Sequence, residues 1–293
     1  MTTSNRLKHI LITASLLSLM ACSSTSEETT MSDPTQSMTN LQKAVAVISS
    51  IETGDKTAIA YINPENYTQH NLAVADGLAG FGAVLHQLPE GSAKARVTRA
   101  FQDGDYTVTH TEYNFFGPKV GFDVFRFEDG KIVEHWDNLQ AIAPLNPSGR
   151  SQLDGATEVT DLDKTDANKA IVTDFVETIL MNGDMSKIGQ FIDSEDSDYI
   201  QHNPAITDGL SGLGKALGEL AAADMPMVVS KNHAILGQGN FVLSINEGTF
   251  MNQHVAFYDL FRLRNGKIVE HWDTIETIPA PSEWQNPNGK FGF

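Results

Sequence analysis

Two copies of one short motif carry the side chains best suited to acid–base chemistry. The segment GKIVEHWD occurs at residues 130–137 and again at 266–273, and each copy holds a histidine and an aspartate. A further aspartate precedes each copy, in DVFRFEDG and DLFRLRNG. A carboxylate beside a histidine can move a proton at a carbon next to a carbonyl, provided that apolar walls exclude water. The pairs Asp123/His135 and Asp259/His271 are therefore the candidate catalytic residues.

A β-hairpin must bring each pair together, and the sequence allows two registers. A two-residue Asp-Gly turn would place Asp123 opposite Trp136. A three-residue loop with Gly130 in the left-handed conformation would place Asp123 opposite His135. The second register pairs apolar with apolar and charged with charged residues, so we favour it.

In the favoured register, one sheet face carries all the candidate pocket residues. They are Asp123, Phe125, Val133, His135 and Asp137 in the first copy, and Asp259, Phe261, Val269, His271 and Asp273 in the second. Phe125 and Phe261 would line the ligand surface. Asp137 and Asp273 are candidates to contact the ligand or to hold a histidine tautomer.

The opposite face carries Val124, Ile132 and Trp136. This face is too apolar to remain in water, so we expect it to pack against a second sheet. Arg126 and Arg262 share its parity and point away from the aspartates. That parity argues against an epoxide-hydrolase type of Asp-Arg-Asp site built with these arginines.

A longer repeat indicates two domains with the same order of elements. YTQHNLAVADGLAGFG at 67–82 aligns with YIQHNPAITDGLSGLG at 199–214. Helical patterns come first in each copy and alternating strand patterns follow, which indicates an α+β fold. In the second copy, Asp166 and Asp208 are the expected helix N-caps, and Asp76 is the counterpart of Asp208 in the first copy. We predict domains at 38–145 and 164–281, a linker at 146–163 and a C-terminal tail at 282–293.

The N-terminus is typical of a bacterial lipoprotein. Two basic residues precede an apolar run that is too short to span a membrane, and the run ends in Leu-Met-Ala-Cys. This predicts a signal peptide at 1–21, lipidation of Cys22 and a flexible tether at 22–37. Ser23 after the cysteine favours the outer membrane, facing the periplasm.

Composition excludes some classes of function. The formal net charge is −17, so we expect no nucleic-acid partner. Cys22 is the only cysteine, so no internal disulfide can form. We also find no GxSxG segment and no Walker-type loop.

The motifs YIQHNP, YDLFRLRNGKIVEHWD and NPNGKF resemble the SnoaL-like polyketide cyclase family of the nuclear-transport-factor-2-like superfamily, over nearly all of both copies. The resemblance implies two tandem cone-shaped domains, each a curved, mostly antiparallel sheet wrapped by helices around a pocket. It also implies dimerisation through the outer sheet face, which two copies could reproduce as an internal pseudo-dimer. It places the QHN residues Gln69, His70, Gln201 and His202 at the pocket mouth, where they would bind substrate.

The resemblance further implies cofactor-free proton transfer, as in an aldol-type cyclase, isomerase or lyase acting on a small, partly apolar carbonyl compound. Three alternatives remain open. The chain could bind a small molecule without turnover, or act as an interaction module with vestigial pockets. His70, His135 and Asp123 could also form a two-histidine, one-carboxylate metal set, although no short ligand spacing supports it. His110 has Ile245 as its counterpart, so the two pockets would differ if His110 faced inward.

Overall fold

The structure, a computed structural model, describes residues 38–88, 91–193 and 199–293. The predicted signal peptide, the tether and Cys22 lie outside the described residues. Within the part of the chain that is described, no helix is long and apolar enough to cross a membrane.

The first half begins with helices and continues into strands. Helix α1 starts in a capping box, in which the Thr39 side chain accepts from the Gln42 backbone and the Gln42 side chain accepts from the Thr39 backbone. The elements are α1 (Asn40–Thr53), a 3₁₀ turn (Lys56–Tyr61), β1 (Thr68–Gln69), α2 (Gly77–Gln87), β2 (Lys94–Asp103), β3 (Tyr106–Asn114), β4 (Pro118–Glu128) and β5 (Lys131–Ala141).

The second half repeats this order. Its elements are a 3₁₀ turn (Leu162–Lys164), α3 (Thr165–Phe175) with a wider π turn (Val176–Met181), a 3₁₀ turn (Met185–Gln190), β6 (Ile200–Gln201), α4 (Gly209–Ala222), β7 (Val228–Gln238), β8 (Phe241–Phe250), β9 (Gln253–Arg264), β10 (Lys267–Thr277) and a 3₁₀ turn (Pro281–Glu283). Asp166 lies in the first turn of α3 and does not cap it, which corrects the predicted N-cap.

Both halves form five-stranded sheets with the same topology. The strand orders are β1-β5-β4-β3-β2 and β6-β10-β9-β8-β7. The short first strand of each sheet runs parallel to its neighbour, and the other pairs are antiparallel. The prediction of an α+β fold with helices on a mostly antiparallel sheet is confirmed.

The predicted hairpin register was wrong. Asp129 (φ 49°) and Gly130 (φ 72°) form a two-residue turn, and a bulge then leaves Val133 as an extra residue in β5. Asp123 therefore lies opposite Asp137, and Phe125 lies opposite His135. The two-residue turn and the bulge each shift β5 by one residue from the predicted register. The shifts add up to two residues, so Asp123, Phe125, His135 and Asp137 still point to the predicted face of the sheet. The second half has the same bulge at Val269.

The outer faces of the two sheets share one hydrophobic cluster, which we call the central cluster. It contains Val124 and Trp136 of the first half together with Leu260 and Trp272 of the second. Asn138 of β5 donates hydrogen bonds to the carbonyls of Ala256 (3.2 Å) and Thr274 (3.0 Å) across this contact. Ile132, predicted on this face, instead packs with α1 on the opposite side because of the bulge beside it.

Candidate functional site

Each half encloses an apolar cavity between its helices and the inner face of its sheet. The first cavity has a volume of about 250 Å³, and Asp123, Phe125, His135 and Asp137 line one end of it. Apolar residues of α1 and α2 cover the rest, including Val47, Ile48, Ile51, Phe81 and Val84. These walls limit the entry of water around the polar end.

The second cavity has a volume of about 300 Å³ and is built in the same way. Its polar end is formed by Asp259, Phe261, His271 and Asp273. Leucines of α4 and the end of the α3 segment form its walls, including Phe175, Ile179, Leu180, Leu213 and Leu217. The candidate catalytic residues of both halves therefore face enclosed, mainly apolar spaces.

The aspartate and histidine of each pair are in direct contact. His135 Nε2 lies 3.2 Å from Asp123 Oδ1, and His271 Nε2 lies 3.1 Å from Asp259 Oδ1. Phe125 and Phe261 stack on these histidines, with ring centroids 4.6 Å and 4.9 Å away. The stacking holds each imidazole ring in the plane that aims Nε2 at the carboxylate.

Gln69 and Gln201 determine which histidine nitrogen carries a hydrogen. Gln69 Oε1 lies 3.1 Å from His135 Nδ1, and Gln201 Oε1 lies 3.0 Å from His271 Nδ1. Backbone N–H groups of Asn71 and Asn203 donate to the same two oxygens, at 2.8 Å and 2.9 Å. An oxygen that already accepts one N–H can only accept again, so Nδ1 must be the donor. Nε2 and the neighbouring carboxylate are then left to share one proton.

The parallel pairing of β1 with β5 positions these glutamines. Gln69 lies opposite His135 and Gln201 lies opposite His271 in the two short parallel ladders. Asp76 and Asp208 occupy the N-cap positions of α2 and α4, but their carboxylates accept from the backbone N–H groups of Gln69 and Gln201 instead. Hydrogen bonds therefore connect the first residues of α2 and α4 to the glutamines that orient the histidines.

Asp137 and Asp273 do not hold the histidine tautomers. Asp137 Oδ2 accepts from Asn71 Nδ2 at 2.5 Å, and Asp273 Oδ2 accepts from Asn203 Nδ2 at 2.6 Å. The other oxygen of each carboxylate is buried and has no hydrogen-bond partner among the described residues. Each aspartate therefore has one buried oxygen without a hydrogen-bond partner in the part of the chain that the structure describes, and in the first half Lys290 Nζ lies 3.6 Å from it.

The pKa values of His271 and Asp273 in the second pocket are both raised. Burial alone would lower the pKa of His271, but its hydrogen bond with Asp259 and the charges of Asp273 and Asp259 raise that pKa above 6.5. Burial raises the pKa of Asp273 above its ordinary value, against the opposing charge of His271. The raised pKa of His271 favours the protonated imidazole beside the Asp259 carboxylate.

The two pockets differ in the side chain that donates to Asp123 in the first half and to Asp259 in the second. In the first half, Tyr113 of β3 donates from its hydroxyl to Asp123 Oδ2 at 2.6 Å. Gly248 replaces this tyrosine in the second half, where a Cβ would lie 1.9 Å from the Val228 carbonyl oxygen and 3.1 Å from the Phe257 ring. Asp259 Oδ2 accepts instead from Asn246 Nδ2 at 3.2 Å. Burial and the charge of Asp123 raise the pKa of Tyr113, so its hydroxyl stays a donor.

The prediction that His70 and His202 lie at the pocket mouth was wrong. Side chains alternate along a strand, so the residue after each inward glutamine faces the other side of the sheet. His70 stacks on Trp136 and His202 stacks on Trp272, at centroid distances of 4.7 Å and 4.8 Å. Their Nε2 atoms lie 2.9 Å and 3.0 Å from Glu134 and Glu270.

Other residues singled out by the sequence also lie on the outer face. Arg126 and Arg262 donate to Glu134 and Glu270 at 2.7 Å and 2.6 Å and line neither cavity. His110 stacks on Phe122 of the central cluster and does not face the pocket. Sequence analysis missed Tyr113, although its strand parity matches that of the cavity-facing Asp123.

Three groups in each pocket could also hold a cation. One ligand atom each from Asp123, His135 and Asp137 lies within 4.8 Å of the others, and Asp259, His271 and Asp273 form the same arrangement. Carboxylate and imidazole ligands suit several divalent metals. The metal set of His70, His135 and Asp123 is not assembled, because His70 lies on the outer face.

Part of this chain matches a known protein family. Residues 44–135 match the family described as SnoaL-like domain. None of the curated proteins matches this chain.

Several solved structures resemble parts of it. An NTF2-like protein from Cytophaga hutchinsonii is 15% identical, with 36% of this chain and 94% of that chain covered and a TM-score of 0.32. A protein with a cystatin-like fold from Xanthomonas campestris is 22% identical, with coverages of 40% and 97% and a TM-score of 0.33. An LEH-like epoxide hydrolase from M. tuberculosis is 15% identical, with coverages of 34% and 82% and a TM-score of 0.30. Over residues 44–135, this chain is thus similar to the SnoaL-like domain family.

Proposed function

We propose that each pocket performs cofactor-free general acid–base chemistry on a small, partly apolar carbonyl compound, as an aldol-type cyclase, isomerase or lyase. One observation carries this proposal. An aspartate and a tautomer-locked histidine share a single proton at the polar end of an enclosed apolar cavity. The match of residues 44–135 to the SnoaL-like domain family supports the same reaction class.

The geometry suggests how a proton would move. A ligand carbon next to a carbonyl would lie against the aspartate, whose carboxylate removes the proton. The neighbouring imidazolium, hydrogen-bonded to the aspartate through Nε2, offsets the negative charge that forms. The proton held by the aspartate can then return to carbon or oxygen of the ligand. Apolar walls keep competing water away from the enolate that forms.

Solvent deuterium exchange tests this proposal. The purified protein would be mixed in D₂O with a panel of small cyclic ketones and diketones, and the α-hydrogens followed by NMR. We expect exchange that falls by about a hundredfold or more in the Asp123→Asn/Asp259→Asn double variant. Compounds that bind in the cavities but show no exchange above the double variant would point to a non-catalytic binding protein.

We also propose that the chain is anchored to the outer membrane through a lipid on Cys22. The supports are the apolar run, the Leu-Met-Ala-Cys segment and the polar stretch after it. Labelling cells with a clickable fatty acid should mark the wild-type protein and leave Cys22→Ala unmarked. Equal labelling of both would contradict the anchor.

The pairing of the two sheets is proposed to replace the homodimer that the SnoaL-like resemblance implies. The shared central cluster supports this, because both outer faces are already covered within one chain. Light scattering on the purified protein should give the mass of one chain. A dimer mass would count against the proposal.

A further inference from the structure

One charged side chain distinguishes the lining of each cavity from that of the other. Both polar ends hold two aspartates and one histidine, so these residues do not separate the pockets. The first cavity is also lined by Lys119 of β4, whereas the second is also lined by Glu219 of α4. The remaining described residues of both linings are uncharged. The first cavity therefore carries an extra positive charge, and the second carries an extra negative charge.

The second half has no lysine at the position equivalent to Lys119. Lys119 lies four residues before Asp123 in β4, and Val255 lies four residues before Asp259 in β9. Val255 is buried in an apolar cluster with Phe257. The positive charge is therefore a feature of the first pocket and not of the repeated fold.

Glu219 also has an uncharged counterpart. Gln87 lies at the same distance from the N-cap Asp76 in α2 as Glu219 does from the N-cap Asp208 in α4. Both side chains are exposed and both line their own cavity. The two halves thus differ in charge at two equivalent positions of the lining, and both differences make the first cavity the more positive one.

Lys119 lies away from the acid–base pair, toward solvent. It shares the cavity face of β4 with Asp123, and because a strand rises about 3.3 Å per residue their Cα atoms are about 13 Å apart. Lys119 is half-buried, with its Nζ 5.9 Å from the centre of the Phe115 ring. The next lining residue, Phe116, is 63% exposed. The ammonium group is therefore at the rim of the cavity.

The ammonium group of Lys119 is available to an anion. In the described ranges no carboxylate pairs with it, and its observed contact is with the Phe115 ring. Lys94 of the same sheet, by contrast, pairs with Glu52 at 2.9 Å. A cation at the rim of an apolar cavity attracts anionic ligands. The aspartates at the polar end would repel an anion placed there, so an anionic group is stabilised at the rim alone.

We propose that the first pocket takes small keto acids, whereas the second pocket takes neutral carbonyl compounds. The carboxylate of the keto acid pairs with Lys119, and a short carbon chain places its carbonyl beside Asp123 and His135. In the second pocket, Val255 supplies no cation and Glu219 repels the carboxylate. This inference rests on the proposed function, because it takes the carbonyl to bind at the acid–base pair, and it names a substrate class for each pocket.

The compounds 6-oxoheptanoate and 6-oxoheptanamide are matched probes, because they have nearly equal size and only the first is charged at pH 7. Binding would be followed by NMR of the imidazole signals of His135 and His271, each of which reports one pocket. We expect the first pocket to prefer the acid by about threefold to tenfold, between the values for an exposed ion pair and for a buried charged hydrogen bond. Added salt should reduce this preference. The second pocket should prefer the amide.

Three variants isolate the role of Lys119. Lys119→Met should abolish the preference for the acid in the first pocket, and Lys119→Arg should keep it. Lys94→Met is the control, because it removes the same charge from an exposed pair that lines neither cavity, and it should leave the preference unchanged. The inference would be overturned by a preference that survives Lys119→Met, by equal binding of acid and amide in the wild-type first pocket, or by no binding of either compound there.

Exchange of the α-hydrogens in D₂O, measured on the same samples, separates this inference from the proposed function. A preference for the acid in the first pocket without any exchange would support the selection by charge and refute turnover. Exchange of both compounds without a preference would refute the selection by charge and leave the proposed function standing.

Discussion

Gln201 and His271 fix the position of the proton in the second pocket. The glutamine oxygen lies 3.0 Å from His271 Nδ1 and already accepts a backbone N–H, so it makes Nδ1 a donor. Only Nε2, which faces Asp259, can then change its protonation. The same relationship joins Gln69 and His135 in the first pocket.

Replacing Gln201 with leucine should release this constraint. Without the acceptor oxygen, His271 can lose its Nδ1 hydrogen and keep the one on Nε2. Nε2 then no longer exchanges a proton with Asp259, and proton transfer should slow by about tenfold or more. Imidazole ¹⁵N shifts would report the tautomer. Gln69→Leu is the matched control and should alter His135 only. An unchanged Nδ1 hydrogen in Gln201→Leu would show that the glutamine does not set the tautomer.

The pair Asp259/His271 should make stability depend on pH. The pKa of His271 lies above 6.5 in the folded protein, whereas the unfolded value is about 6.5. The pair therefore stabilises the fold fully below that unfolded value, and the contribution is lost as pH rises through the folded pKa. Asp259→Asn should lower the pKa of His271 and remove this dependence.

Urea unfolding at a series of pH values measures this effect. The loss of unfolding free energy in Asp259→Asn should contain a part that shrinks as pH rises above about 6.5. In the His271→Gln background, the same substitution should lose that pH-dependent part. A constant difference at all pH values would mean that the histidine charge is not coupled to Asp259.

The hydroxyl of Tyr113 should stabilise the first half alone. It donates to the buried carboxylate of Asp123 at 2.6 Å, and hydrogen bonds to charged groups contribute about 1.5–3 kcal/mol. Tyr113→Phe should lower the free energy of unfolding by that amount. The control Tyr67→Phe removes only a 3.4 Å contact with the Gln69 amide and should cost less. Equal costs would contradict the assignment.

The segments at 146–151 and 286–291 each contact the half that they do not follow, so they should act on opposite halves. Asn286→Ala should speed hydrogen exchange of the 71–74 loop, because that asparagine holds two carbonyls there. Asn146→Ala should instead speed exchange in the 203–206 loop. If each variant loosened the half that precedes it in sequence, the crossed arrangement would be wrong.

Much of the architecture follows from sequence periodicity. The predicted order of helices followed by strands in each copy agrees with the observed order of elements, and the turn residues Asp129 and Gly130 mark the hairpin. The bulge at Val133 carries no local signal, so the register was wrong while the parity of Asp123 and His135 remained correct.

The site itself was harder to predict. His70 was misplaced because strand alternation next to Gln69 was overlooked. Lys290 lies near Asp137 only because the segment at 286–291 packs on the first half, which no local pattern reveals. The sequence contains NPSGRS at 146–151 and NPNGKF at 286–291, but the half that each segment contacts depends on tertiary packing.

The most direct test of the central claim is α-deuterium exchange of a bound ketone, compared among wild type, Asp123→Asn, Asp259→Asn and the double variant. Because each pocket has its own aspartate and histidine, each single variant should lose the exchange of one pocket. The double variant should lose all catalysed exchange while ketone binding persists. Exchange that continues at the wild-type rate in the double variant would show that these pairs are not the acid–base groups.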